Sequence, residues 1–375
     1  MGNKHHSIAN SGASAQNHAD ETSSAKLRLD DDFITRKEII LKQPSLLSEF
    51  SYFYKITELS NLYRLWFKVR QSKSLRPRYI KFNERLLDHL LIIQYRLRHG
   101  CFEFGPYQFF PVQEKTRRSI ANAPLKDRIA HWLLYEHLME QWQSKFIHHT
   151  YGNLPRKGTH AAVQKLASWT RKPSLTYALQ LDISKYFFSI QHSILKCILF
   201  SKEGNSHIRD LLEELIDSFI TSDEFDYLFP EDSSYRNTPY KGIPLGNLTS
   251  QIFANIYLNE FDHWVKETLC VSHYIRYVDD FIFLGDSVAS LRKIEGKVLE
   301  KLSCIGLSVN PNKTAIRLID KGIPFLGYIV WPNHISAGKY VRNRYGKLLR
   351  HMQGLNRLAA FSSYNGVFKH TGATR

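Results

Sequence analysis

The segment His273-Tyr274-Ile275-Arg276-Tyr277-Val278-Asp279-Asp280-Phe281-Ile282-Phe283-Leu284-Gly285 decides how this chain is read. Two adjacent carboxylates interrupt two runs of apolar, β-branched and aromatic residues, a pattern that predicts strand, tight turn, strand. Neighbouring Asp residues favour turns and their charges repel, so a solvated hairpin tip is the plain alternative. The flanks weigh against it. Tyr277, Val278, Phe281, Ile282, Phe283 and Leu284 are apolar, and only Arg276 and Gly285 depart from that around the pair. Buried strands would deliver these acids to one spot where only cations hold them, and clustered hard oxygen ligands suit Mg²⁺.

A site of that kind needs a further acid from another segment. Ala178-Leu179-Gln180-Leu181-Asp182-Ile183-Ser184-Lys185-Tyr186-Phe187-Phe188 ends an apolar strand on a lone Asp and follows it with an aromatic turn. Two-metal sites bracket ions about 3.5–4 Å apart with carboxylates from different segments. Asp182 and Asp279 are distant in the chain, so only tertiary folding can join them.

The Tyr-Val-Asp-Asp and Leu-Asp-Ile-Ser-Lys-Tyr-Phe motifs together resemble the palm of reverse transcriptases. The likeness is strongest to the bacterial group, related to group II intron enzymes, that includes the diversity-generating retroelements. It runs from about residue 75 to 370. It implies an α+β right-hand polymerase fold: a leader over 1–32, N-terminal helices and fingers over 33–176, a palm of antiparallel sheet and helices over 177–335, and a short basic helical thumb over 336–375. It implies RNA-directed DNA synthesis, with Asp182 and Asp279 bridging two Mg²⁺ ions and Asp280 in support.

Other positions follow from the same resemblance. Phe104 to Val112 reads as a strand, followed by a basic turn, Lys115-Thr116-Arg117-Arg118, and a return through Ile120 to Pro124. In the family, a Lys and an Arg of this fingers hairpin lie over the nucleotide triphosphate, and Lys115 and Arg118 take those places. The physical need is for fixed cations against a polyanion. Asp127 and Arg128 are expected to pair internally at the next helix start. Arg156 and Lys157 lie in a glycine-containing loop that enters a helix, a phosphate-binding arrangement suited to template or nucleotide. Phe187 falls where an aromatic blocks a ribose 2′-hydroxyl; core packing is its plain alternative.

In Lys241-Gly242-Ile243-Pro244-Leu245-Gly246-Asn247-Leu248-Thr249-Ser250-Gln251, Leu245 stands where most relatives carry Gln, and Gln251 where they carry Pro. That departure resembles the diversity-generating retroelement group, and losing a hydrogen-bonding Gln beside the incoming base would relax a check on pairing. Lys313 matches a lysine of the phosphate region. Gly327 and Tyr328 match a hairpin that grips the primer end, Tyr328 offering a stacking face.

Apolar periodicity predicts helices from Phe33 to about Arg70 with Ser45 or Ser60 as a cap, from Asn83 to His99 ending at Gly100, over 192–220 and from Ile252 to Leu269, while the acidic stretch 221–241 reads as a surface loop. Composition sets the frame. The chain has 375 residues and a formal net charge of +16, which calls for a polyanionic partner. No Asp or Glu follows Asp320, while Lys339, Arg342, Arg344, Lys347 and Arg350 interleave with aromatic residues, a phosphate-tracking pattern. Cys101, Cys197, Cys270 and Cys304 form no Cys-x-x-Cys pair, so buried thiols in a reducing cytoplasm are expected. No membrane-length apolar run or signal peptide is visible.

The expected partners are template RNA, the cDNA product and dNTPs. In a retroelement, a small basic accessory protein and a structured RNA would join them. A second reading is an antiphage defence enzyme copying its own non-coding RNA. A reading of another class is an inactive RNA-binding scaffold, which loss of any of the three Asp would have favoured.

Overall fold

The structure, a computed structural model, describes residues 51–113, 117–219, 240–351, 369 and 371–373. The leader, the helical signals before residue 51, Lys115, most of the acidic loop read over 221–241 and most of the tail after 351 lie outside the described residues.

A helical stretch over 51–56 leads into α1 (Leu59–Arg70), which buries Leu62, Leu65, Trp66 and Val69. That i, i+3, i+4, i+7 stripe is why the segment is helical and how it docks. Ser60, expected as a cap, lies within α1. Pro77 opens α2 (Pro77–Glu84), where its missing N–H costs nothing. α3 (Leu86–Arg98) buries Leu90, Ile93 and Leu97 and stops before Gly100 at φ +65°. The single helix expected from Asn83 to His99 is therefore broken at Arg85.

The fingers hairpin pairs β1 (Gln108–Gln113) antiparallel with β2 (Arg117–Asn122), and Val112 faces Arg118. α4 (Leu125–Trp142) follows, buried on most sides. Then come β3 (Thr150–Tyr151), α5 (Thr159–Thr170), β4 (Tyr177–Asp182), α6 (Tyr186–Ser189), α7 (His192–Phe200) and α8 (Ser206–Asp217). The helical run expected over 192–220 is interrupted where Asn205 caps α8 by accepting the Ile208 N–H. α9 (Leu248–Tyr257) and α10 (Asn259–His263) replace the one helix expected from Ile252, with a break at Leu258.

β5 (Tyr274–Tyr277), β6 (Asp280–Gly285), α11 (Val288–Cys304), β7 (Ala315–Leu318), β8 (Ile323–Phe325), β9 (Tyr328–Val330), β10 (His334–Ala337), α12 (Lys339–His351) and β11 (Gly372–Ala373) complete the chain. The central sheet has the order β3-β5-β6-β4-β7, antiparallel except for the parallel β3–β5 pair. A smaller sheet, β11-β10-β9-β8, lies apart from it in pairing.

Side chains alternate across β6. Phe281 and Phe283 join one core with Leu179, Leu181 and Phe253, while Ile282 and Leu284 join another with Leu166, Ile275 and Phe325. Both faces of the sheet are covered, so its strands read as continuous apolar runs rather than alternating ones. The α+β class is as expected. The four cysteines are free but exposed, which corrects the expectation of buried thiols.

Candidate active site

Asp182 is the last residue of β4 and Asp280 the first of β6, and the two are direct partners across the antiparallel ladder. Asp279 sits in the two-residue turn that joins β5 to β6, since Tyr277 pairs with Asp280. The turn is strained: Val278, β-branched, takes φ +55°. Its surroundings hold it there. The Val278 N–H donates to Tyr151 O (3.2 Å), and Ile183 N–H donates to Asp279 O (3.1 Å). A guanidinium N–H of Arg276 donates to Val278 O at 3.0 Å. Gly152 leaves room for the valine, because a Cβ at that position would lie 2.7 Å from Val278 Cγ2. Strain confined by neighbours in this way is typical of functional turns.

Beneath the turn, Arg276 and Asp262 form an ion pair with no exposed side-chain surface, Nη2 to Oδ2 at 2.6 Å. Tyr274 and Thr150 hydroxyls donate to the same carboxylate, each at 2.7 Å, and Asn255 Oδ1 accepts from Arg276 at 3.1 Å. Burial raises the Tyr274 hydroxyl far above its ordinary value, and the Asp262 charge adds to that. Sequence reading passed over Arg276 and Asp262. The signal available was a guanidinium inside an otherwise apolar strand, which demands a buried partner.

Negative charge is crowded at the tip. Burial pushes the Asp280 carboxyl well above the usual carboxylate range, the charges of Asp279 and Asp182 push it further, and Lys313 opposes them. Lys313, at the end of the turn Pro311–Lys313, donates to both oxygens of Asp182 at 2.9 and 2.8 Å. Its ammonium stands where a positive charge is wanted. Among the described residues no three His, Cys, Asp or Glu side chains form a ready-made metal cluster. The surplus negative charge and the lysine captured by it nonetheless fit a divalent cation.

Several other expected residues lie on or beside β2, α6 and α9. Ala121 N–H on β2 donates to Leu245 O at 2.8 Å. Gly246, at φ +102°, passes so close to β2 that a Cβ would lie 2.7 Å from Ile120 Cγ2. Phe187, half-buried on α6, accepts at its carbonyl from Ile243 N–H (2.8 Å). Arg118 stands on β2. Gln251 is half-buried in the first turn of α9.

Others are placed differently. Arg156 is exposed at φ +60° in its loop. Lys157 turns back: its ammonium bonds the His148 carbonyl and lies 4.9 Å from the Tyr151 ring centre. Burial lowers its pKa, and Lys165 lowers it further. Leu326 and Gly327, at φ +51° and +86°, form the turn between β8 and β9. Tyr328 is 3% exposed and meets His160 edge-on, so it offers no open stacking face. Asp127 and Arg128 are internal but not to each other. Asp127 accepts from Gly105 N–H at 2.7 Å, while Arg128 donates to Ala123 O at 3.0 Å and to the Tyr79 hydroxyl at 2.8 Å. No described helix is long and apolar enough to cross a membrane.

A basic hairpin followed by a sheet that sets Asp182 beside Asp280 is the arrangement expected of a right-hand polymerase. The chain belongs to the reverse transcriptase (RNA-dependent DNA polymerase) family, whose model matches residues 111–330, more than half its length. It is 24% identical over 309 residues to Protein YkfC of Escherichia coli K12, covering 70% of this chain and 74% of that protein. It is 23% identical over 327 residues to an uncharacterized 91 kDa protein in the cob intron of Schizosaccharomyces pombe, and spans 38% of that longer protein. Among solved structures, telomerase from Candida albicans in complex with a TWJ fragment of telomeric RNA aligns over 68% of this chain and 52% of that chain. Its identity is 14% and its TM-score 0.44. Apo telomerase from Candida tropicalis aligns over 60% and 47%, at 13% identity and a TM-score of 0.44.

Proposed function

We propose that this chain copies an RNA into DNA by magnesium-dependent nucleotidyl transfer at Asp182, Asp279 and Asp280. The observation that carries this reading is the register of β4 on β6, which sets Asp182 opposite Asp280 with Asp279 in the adjoining turn. The three carboxylates would hold two Mg²⁺ ions, which when bound acidify the primer 3′-hydroxyl and neutralise the leaving pyrophosphate. Lys313 then exchanges Asp182 for nucleotide phosphates. Lys115 and Arg118 on the fingers hairpin counter the triphosphate charge, and Phe187 limits space at the ribose 2′-position. Gly246 brings backbone close to the nucleotide, Arg156 and Gln251 face the template, and Gly327 lets the primer end approach. Positioning and charge account for the catalysis, so no nucleophilic side chain is required.

Leu245, in place of a hydrogen-bonding Gln, supports a low-fidelity enzyme of a diversity-generating retroelement working with a structured RNA and a small basic accessory protein. The test is primer extension on RNA with dNTPs and Mg²⁺, followed by sequencing of the product. Substitutions concentrated opposite template adenine are expected. Accurate copies of one co-purified RNA would favour the defence reading, and RNA binding without extension would favour the scaffold.

A further inference from the structure

One loop touches both walls of the proposed nucleotide pocket. Residues 242–247 run from α6, which carries Phe187, to β2, which carries Arg118. At the near end, Gly242 N–H donates to Ile190 O (2.7 Å) and Ile243 N–H to Phe187 O (2.8 Å). Gly242 takes φ +92°, and a Cβ there would lie 3.3 Å from the Phe219 ring and 3.4 Å from the Phe188 backbone. At the far end both backbone groups of Ala121 are taken. Its N–H donates to Leu245 O (2.8 Å), and its carbonyl accepts from Asn247 Nδ2 (3.2 Å). The loop thus lies along the edge of β2 turned away from β1, as a third strand would.

Asn247 holds a place that makes this contact informative. It is the N-cap residue of α9, 5% exposed, with extended backbone at φ −96°, ψ 148°. An Asn there ordinarily accepts from the N–H groups of the first helical turn. This one makes no capping bond and reaches to the fingers instead. Local helix stability is given up for a tertiary contact, and such departures from local preference concentrate at functional sites.

We infer that residues 242–247 are a rigid spacer that sets the width of the nucleotide pocket, with Asn247 as its positioning residue. The inference rests on the polymerase reading. The sugar wall at Phe187 and strand β2, which carries Arg118, are referenced to one another through this loop. Releasing Asn247 frees the hairpin root, so the nucleotide is held less tightly and its ribose less selectively, while the three acids are undisturbed.

The experiment is single-nucleotide incorporation by the full chain on an RNA template, comparing wild type with Asn247→Ala and Asn247→Asp. Asp keeps the shape, lacks the N–H donor and suits a helix N-terminus. Asn247→Asp is expected to melt within a few degrees of wild type, the first-turn N–H groups of α9 offsetting part of the cost of a buried carboxylate. In both variants KM for dNTP should rise about five- to tenfold, the magnitude of one lost buried hydrogen bond, with kcat changed less than about twofold. Preference for dNTP over rNTP should fall severalfold in both. KM and sugar preference unchanged in Asn247→Asp, beside an active wild type, overturns the spacer alone. A wild type that makes no cDNA overturns the polymerase reading and the spacer with it.

Discussion

Asp262 bonds to side chains of β3 and β5, Asp280 opens the neighbouring β6, and the two live under opposite conditions. Asp262 is fully buried and matched: one guanidinium and two hydroxyls donate to it. Asp280 is half-buried and crowded by two further carboxylates, with Lys313 opposing them. A closed pair of charges serves the fold, because each pays for the desolvation of the other. An open surplus of one sign serves a ligand, because it is relieved only when a cation arrives. Arg276 links the two regions, holding Asp262 on one side and the Val278 carbonyl on the other.

The largest expected difference is in activity. Asp182→Asn should lower nucleotide incorporation by about 10³-fold or more, and leave RNA affinity within a few-fold, since it removes charge from the acid cluster and nothing from the basic surface. Primer extension and filter binding report the two quantities, and near-normal extension would break the assignment of the open site.

Stability should show the reverse ranking. Arg276→Met strands a buried carboxylate and is expected to cost ~3–5 kcal/mol, a fall in melting temperature on the order of 10 °C. Pairing it with Asp262→Leu should recover much of the loss. Calorimetry of the single and double variants decides, and equal stability of the two would show the pair is not closed.

Asp280→Asn is expected to go the other way. The Asp280 carboxyl is raised to about 7 in the folded chain. Its contribution to stability is therefore complete below about pH 4 and is lost as pH rises through about 7. In chelator at pH 8 the Asn variant should be more stable than wild type by ~1–2 kcal/mol, and at pH 4 the advantage should vanish. Added Mg²⁺ should narrow the gap at pH 8 by stabilising wild type. Denaturant titrations at the two pH values test the sign.

The smallest effect concerns Lys313, whose side chain is 59% exposed. Its bond to Asp182 should contribute less than ~1 kcal/mol. Lys313→Met should scarcely alter melting in chelator, yet tighten Mg²⁺ binding a few-fold by removing the competing ammonium. Metal-dependent melting shifts measure this, and weaker binding would mean the lysine supports the ion rather than standing in for it.

Much of the site was legible. The strands around Asp182 and Asp279 announced themselves because both sheet faces are covered, leaving apolar runs in which an acid is conspicuous. The fingers hairpin was readable from its own short-range pattern. Long helices were read as unbroken because periodicity continues across Arg85 and Leu258, where the backbone departs from helix without a glycine or proline to mark it. Tyr328 was read as an open face because an aromatic after glycine looks alike whether it points outward or in.

Local pattern was enough to single out the three acids and the strands that carry them, because each depends on neighbours within a few residues, and composition was enough for the cationic balance. It took the folded chain to set Asp182 opposite Asp280, to close Arg276 on Asp262, to fold Lys157 back on its own loop and to draw Asn247 from its helix to the fingers. Those outcomes depend on which backbone and side-chain groups meet after long loops close, and the spacing of residues along a chain does not encode a register between segments so far apart.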